Sequence, residues 1–410
     1  MKWFRFKLIS IFCIYLFFPC LLSAQTVPER YVTEYQIDSL KTKEFRLDID
    51  NLFFFKNNEF SSSVMKGYTL PGAWINPKLS YVPLPNIKFE AGAYMLWYSG
   101  AYKYPNYAYQ DIAQWKGKHY QNGIHLLPYF RGQIALGNFN FVLGDIYGGS
   151  NHRLILPLYN PELDLTADPE SGLQILYDAP RFHLDAWINW QSFIFDTDTH
   201  QESFIAGVAS EIKFNSPLSK WHWYMPVQMV AQHRGGEIDT ITTHSVQTLM
   251  NGTVGIGGIW NTGYNIFKSL NIEVDVLGYY QQAGQLWPFE NGYGLYTRAT
   301  AQISDFQLKA SYWKCHQFIS MFGNPFYGAV STIERGGTFD NPSMVYLGAE
   351  YCRVLAKGFS LGIDVDFYTH LPVVFQNEVG EKKKNSSKMS FSAGIYLRIN
   401  PSFIIKSLNE

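Results

Sequence analysis

Apolar and polar residues alternate one by one along most of this chain. In 181–190, Phe182, Leu184, Ala186, Ile188 and Trp190 share one parity, while Arg181, His183, Asp185, Trp187 and Asn189 take the other. A period of two puts the two sets on opposite faces of a β-strand. The pattern recurs in 87–98, where Phe89, Ala91, Ala93, Met95 and Trp97 alternate with Lys88, Glu90 and Tyr94, and again in 358–368 and 388–400. About sixteen such segments succeed one another between residues 44 and 403. Their apolar faces almost never carry a charge. Lipid contact demands this, because an Arg or Lys at the bilayer midplane costs about 2–4 kcal/mol.

The connections alternate in length. Short ones include 82–86, 137–138, 179–180, 304–305 and 356–357, and long ones include 56–67, 99–122, 146–171, 316–342 and 369–387. The expected fold is all-β: a transmembrane antiparallel up-and-down β-barrel of about sixteen strands, with short periplasmic turns and long extracellular loops. An even strand count leaves both ends of the barrel segment in the periplasm. Lys2, Arg5 and Lys7 precede an apolar stretch from Leu8 to Leu22, and Leu22-Ser23-Ala24 offers small residues for cleavage. Residues 1–24 therefore read as a signal peptide, 25–43 as a polar periplasmic leader, 44–403 as the barrel and 404–410 as a C-terminal tail. The expected location is the bacterial outer membrane.

Composition narrows the picture. A net charge of −1 with 16% charged residues excludes a nucleic-acid surface. Aromatic residues reach 17%, and Trp97, Trp190, Trp221, Trp223 and Trp260 fall near strand ends, where interfacial girdles would sit. Beyond the signal only Cys315 and Cys352 remain, near opposite ends of their strands, and both should be free thiols. No HxxEH or CxxC spacing occurs, and the run DTDTH at 196–200 with Glu202, whose oxygens could ligate calcium, is read as a solvated external loop, so neither a metal nor another cofactor is expected.

A barrel of this size leaves an aqueous lumen. The charged residues of polar parity that would line it are Lys88, Glu90, Arg131, Arg181, Asp185, Glu211, Lys213, Glu273, Asp275, Arg298, Lys309, Asp364, Asp366 and Arg398. Their signs nearly balance, so strong ion selectivity is not indicated.

Taken together, the signal, the alternating segments and the loop asymmetry resemble a bacterial outer-membrane porin. The resemblance covers essentially the whole chain but matches no family of known substrate. It implies passive diffusion of small polar solutes, outer-membrane lipid around the wall and a possible homo-oligomer. By the same resemblance the third long loop, 146–171, would fold inward as a constriction, with His152 and Arg153 facing Glu162, Asp164, Asp168 or Glu170. Phe403, in phase with Phe391, Ile395 and Ile399, would serve as the aromatic residue that usually ends such barrels.

Catalysis has weaker support in the sequence. Ser150 stands beside His152, and His183 shares a face with Asp185. Ser150 nevertheless lacks the strand–turn–helix context of a nucleophile elbow. The expectation is a channel without enzymatic activity. Two alternatives remain: an enzyme or lipid-handling barrel, whose lumen should be blocked, and a barrel subunit of a secretion or surface-assembly machine.

Overall fold

The computed structural model describes residues 31–98, 123–193, 201–236 and 246–408. The segment read as a signal peptide and the run 196–200 lie outside them. The wall begins with β1 (Glu44–Ser61), β2 (Lys66–Leu84), β3 (Ile87–Tyr98), β4 (Gly123–Leu136), β5 (Phe139–Asp145), β6 (Ser171–Ala179) and β7 (Phe182–Ser192). It continues with β8 (Ser203–Lys213), β9 (Trp221–Arg234), β10 (Gln247–Asn261), β11 (Phe267–Ala283), β12 (Asn291–Ile303) and β13 (Phe306–His316). Ser343–Ala356, Phe359–His370 and Lys388–Ile399 complete sixteen antiparallel strands, each paired with its neighbours in the chain. The last pairs with β1, from Asn51 opposite Ile399 to Glu59 opposite Phe391, and closes the barrel.

Past Asn400 and Pro401 the chain resumes pairing with β1 as Ser402–Ser407. Residues from Ile404 onward, expected as a tail, thus extend the closing strand as far as Ser407. Phe403 stands opposite Leu47 and is exposed. The connection expected to be long over 56–67 is also short. β1 and β2 run for 18 and 19 residues and leave only 62–65 between them. Polar residues at 56–59 gave that stretch the look of a loop, yet Lys56 and Asn58 keep strand parity and point inward, buried.

The wall is inside-out relative to a soluble sandwich. Leu79, Phe89, Phe130, Ile272, Leu347 and Phe391 are exposed, while Glu90, Arg131, Asp185, Glu211, Glu273, Asp275, Asp364 and Arg398 are buried within. Trp97 marks the outer end of β3, and Trp221 stacks on Trp260 at 5.6 Å at the periplasmic end.

The lumen is not empty. The loop 146–170 enters from outside and buries Ile155, Leu158, Leu163 and Leu165; the loop 317–342 buries Phe318, Ile319, Phe322, Phe326 and Tyr327 against it. The Asn160 amide donates to Phe322 O at 2.8 Å, and Ser320 Oγ donates to Pro157 O at 2.7 Å. On the wall the first loop reaches Asn58, Tyr68, Gln174 and Gln228, and the second reaches Asn251 and the Ser63–Val64 turn. The two loops bridge the lumen from wall to wall. From below, Arg398 donates to Val32 O at 2.8 Å, Gln133 donates to Tyr35 O at 2.7 Å, and Asn151 Oδ1 accepts from the Thr33 amide at 2.8 Å. Residues 31–36, expected in a periplasmic leader, therefore sit inside the barrel.

Cys315 and Cys352 are both free, the first buried and the second half-buried. Intact-mass measurement should find no crosslink, and alkylation of the folded protein should reach Cys352 well before Cys315. Equal rates would contradict the packing of the loop 317–342 over β13.

Candidate functional site

Glycine shapes the loop 146–170. Gly149 has a φ of +62°, and a Cβ there would stand 2.0 Å from Asp164 Oδ1. This lets a 3-10 turn, Gly149–His152, tuck beside the short helix Leu163–Thr166. Amide side chains of the wall satisfy the loop's backbone, as burial requires. Gln174 accepts from the Tyr147 amide at 2.9 Å, and Gln228 accepts from the Ile155 amide at 3.0 Å while donating to Arg153 O at 3.1 Å.

This scaffold fixes His152 between two carboxylates. Its Nδ1 donates to Asp185 Oδ2 at 2.7 Å, and its Nε2 meets Glu170 Oε2 at 3.1 Å. Asp185 is oriented in turn by Gln174 Nε2 at 2.9 Å, and Glu170 by the Gly149 amide at 2.8 Å. The imidazole lies flat on Trp187, with ring centroids 3.5 Å apart. Burial works against charge on this ring, but Asp185 and Glu170 outweigh it and push His152 up to about 10. Glu170 is also opposed by burial, and the imidazolium beside it holds its carboxyl below the ordinary range. The pair's contribution to loop docking is full below about 6.5 and is lost as pH rises through about 10.

His152 and Glu170 face a pocket whose lining also includes Leu127, Leu154, Leu163, Trp187, Ile205 and Phe322. The pocket lies behind the lowest part of the wall. β5 has only 7 residues, fewer than the 9–11 that a tilted strand needs to cross a bilayer. Its pairing with β4 stops at Arg131 opposite Gly144, so among the described residues β4 has no strand partner on that side from Gly123 to Phe130. Pro128, which lacks an N–H, suits such an edge, and Asp145 takes the Phe130 amide at 2.5 Å. Across the gap β7 rises past β6, whose pairing with it ends at Asn189 opposite Gly172. Ile124, Leu126 and Leu143 around this notch are exposed.

The other residues expected at the site are scattered. Ser150 Oγ donates to Asp164, not to His152, and His183 pairs with Asp178 at 2.7 Å. Glu162 accepts from Tyr68 and Asn58, and Asp168 meets His125 at 3.2 Å. Burial raises Asp164 to about 6. Arg153 lines a second cavity across the loop. Glu90 gathers Lys88 at 2.9 Å and Arg131 at 3.1 Å, and Glu211 meets Lys213 at 3.4 Å. Glu273 pairs with Arg298 at 2.5 Å, and Asp275 beside it has no hydrogen-bond partner among the described residues. Lys309 meets Glu350 at 2.8 Å, Lys56 lies between Asp364 and Asp366 at 3.3 and 3.7 Å, and Arg398 meets Asp50 at 3.0 Å. Arg181 was expected in the pore wall but lies exposed in the turn between β6 and β7, one residue before the strand begins.

The sequence reading treated 316–342 only as a long loop. Its run "FISMFGNPFYGAV" carried a signal, since so apolar an external segment needs somewhere to bury.

Residues 37–408 match the model of one protein family, described as lipid A 3'-O-deacylase-type. This corrects the expectation that the barrel has no enzymatic activity. No curated protein matches the chain. Among solved structures, outer membrane protein OprD of Pseudomonas aeruginosa is similar at 8% identity and TM-score 0.47, covering 92% of this chain and 97% of that one. OccAB3 of Acinetobacter baumannii gives 9% identity and TM-score 0.46, over 88% and 99%. OmpT of Vibrio cholerae, solved in a trimer form, gives 10% and 0.45, over 87% and 98%. At these values the likeness carries no inference about chemistry.

Proposed function

This chain belongs to the lipid A 3'-O-deacylase-type family, and on that premise we propose that it is an outer-membrane enzyme hydrolysing an acyl ester of a glycolipid. The observation that carries this reading is the Asp185–His152–Glu170 array, set in an apolar pocket behind a wall strand too short to cross the membrane. A lumen bridged by two loops supports it over free diffusion through an open pore.

The array divides acid from base by the usual rule that neighbouring groups with opposed proton affinities take opposed roles. Glu170, an ionised carboxylate, accepts a proton from water as the water oxygen bonds to the acyl carbon. His152, protonated, gives its Nε2 proton to the sugar oxygen as the acyl C–O bond breaks. The products are a fatty acid and a sugar hydroxyl. Glu170 then returns its proton to His152 across their 3.1 Å contact, which resets the pair. Asp185 holds Nδ1 and keeps the ring charged and oriented. Leu127, Leu154 and Leu163 offer apolar surface to the acyl chain.

Liquid chromatography with mass spectrometry of lipid A incubated with the purified protein tests this directly. Release of one ester-linked fatty acid is the expected result, and intact lipid after long incubation refutes the reading. Activity should hold from weakly acidic pH upward and fall near pH 10, where His152 loses its proton. Glu170→Gln removes the base and should cost about 10²–10⁴-fold in kcat. It also removes one of the two charges holding the proton, so the alkaline limb of the residual activity should move to lower pH. A limb that stays in place would show that Glu170 acts only in packing.

A further inference from the structure

We propose that residues 31–36 form a strap that positions His152: by holding Asn151, they fix the turn on which the imidazole stands. This rests on the deacylase reading and adds a positioning element to it. The segment reads YVTEYQ, and its residues alternate in burial although it joins no sheet. Tyr31 is buried and Thr33 and Tyr35 half-buried, while Glu34 and Gln36 are exposed. Its backbone is taken up by side chains of three separate elements. Arg398 of the closing strand donates to Val32 O at 2.8 Å and to Thr33 Oγ1 at 3.1 Å. The Thr33 amide donates to Asn151 Oδ1 at 2.8 Å, and Tyr35 O accepts from Gln133 of β4 at 2.7 Å. The Tyr35 hydroxyl also donates to Asp178 of β6. The strap therefore crosses the lumen from the last strand to β4 and β6, touching the loop 146–170 on the way. Beyond Gln36 the chain passes through a 3-10 turn, Ser39–Lys41, into β1 at Glu44.

Asn151 is where the strap meets the site. Its Oδ1 takes the Thr33 amide and its Nδ2 donates to Gly148 O at 2.7 Å, so one side chain ties the strap to the turn. A second tie runs through Tyr147, at the start of the loop. Its hydroxyl donates to Gln133 Oε1 at 2.9 Å, and its ring centroid lies 5.9 Å from that of Tyr35. The turn needs such ties. Arg153, which follows His152, has a φ of +57°, a region that residues with a Cβ rarely enter. Backbone of this kind persists only where its surroundings hold it. Asp164 and Glu170 hold the turn from within the loop, Asp185 and Gln228 from the wall, and Thr33 from the side where the chain enters β1. Releasing Asn151 frees the imidazole to drift from Asp185 and Glu170, and a misplacement of about 1 Å can cost about 10²-fold in rate.

The test replaces 31–36 in the full chain with Gly and Ser at equal length and, separately, makes Thr33→Pro, which removes the amide that Asn151 accepts from. Neither change touches a ladder of the wall, and Thr33→Pro carries the test if the longer replacement fails to form the compact barrel. Both variants should lose at least about tenfold in kcat on lipid A, with KM nearly unchanged. Their alkaline limb should also fall below pH 10, because an imidazolium farther from its carboxylates gives up its proton more readily. Hydrogen exchange of the amides 149–153 needs no substrate and should quicken at least about tenfold. Exchange at 149–153 as slow as in the intact protein overturns the inference whatever the rates are. Full kcat with the alkaline limb in place overturns it as well, since the strap would then only fill the lumen. If the intact protein cleaves no lipid, the deacylase reading falls, and exchange alone decides whether the strap holds the turn.

Discussion

Replacing His152 with Gln lowers ester hydrolysis by about 10²–10⁴-fold, the range that a positioned acid or base contributes, while the barrel still assembles. The wall's ladders do not pass through His152. Its partners are one loop residue and one wall residue, Glu170 and Asp185. Removing the imidazolium leaves buried Asp185 and half-buried Glu170 facing one another. The loop 146–170 should therefore dock less tightly, and protease protection of the loop should fall, without loss of the compact barrel form on a gel. Asp185→Asn is a second probe. It keeps the shape near Nδ1 but removes a charge, so the alkaline limb should move below pH 10 along with the loss of rate. Ser150→Ala separates the two possible nucleophiles. Ser150 Oγ donates to Asp164 and faces away from the His152 array, so this variant should keep most of its activity. If Ser150→Ala is dead while His152→Gln is active, water is not the nucleophile and the acid–base assignment is wrong.

The second large effect concerns conduction. Reconstituted in a planar bilayer, the intact protein should carry no steady current, because the loops 146–170 and 317–342 meet across the lumen through Asn160, Phe322, Pro157 and Ser320. Replacing 154–167 with a short Gly-Ser linker removes Leu158, Leu163 and Leu165 from that bridge. It exposes Gln228, which water can satisfy in place of the Ile155 amide. This variant should conduct steadily. Shortening 320–328 attacks the same bridge from the other loop and covers the case in which the first deletion fails to fold. Steady open-state current through the intact barrel would show that the two loops do not close the lumen and would remove that support for the enzyme over a pore.

Much of the wall could be read residue by residue. In β7 the parity of Phe182, Leu184 and Ile188 against His183, Asp185 and Asn189 separates the lipid face from the interior face. The strand 87–98 has the same limits in sequence and structure. Errors arose where alternation and loop chemistry overlap. Lys56 and Asn58 look like loop residues, yet they are inward, buried positions of an 18-residue strand. Arg181 has the parity of a wall residue but belongs to a turn. At the candidate site, His152, Glu170 and Asp185 were each singled out, but Asp185 as pore lining and the other two as a constriction. Nothing in the local pattern of either segment announces that His152 and Asp185 are partners.

The boundary between what sequence determined and what tertiary structure decided follows from the range of the forces. Each wall side chain meets hydrocarbon or the interior according to its own parity, a local property that hydropathy alone reveals. Sixteen strands, their order and their faces follow from that. The contents of the barrel do not. Whether the interior holds water or protein depends on contacts between residues 33 apart, as with His152 and Asp185, or 163 apart, as with Ser320 and Pro157. It depends as well on one strand, β5, ending short enough to lower the wall in front of them. Only the closed barrel brings those pieces to one place.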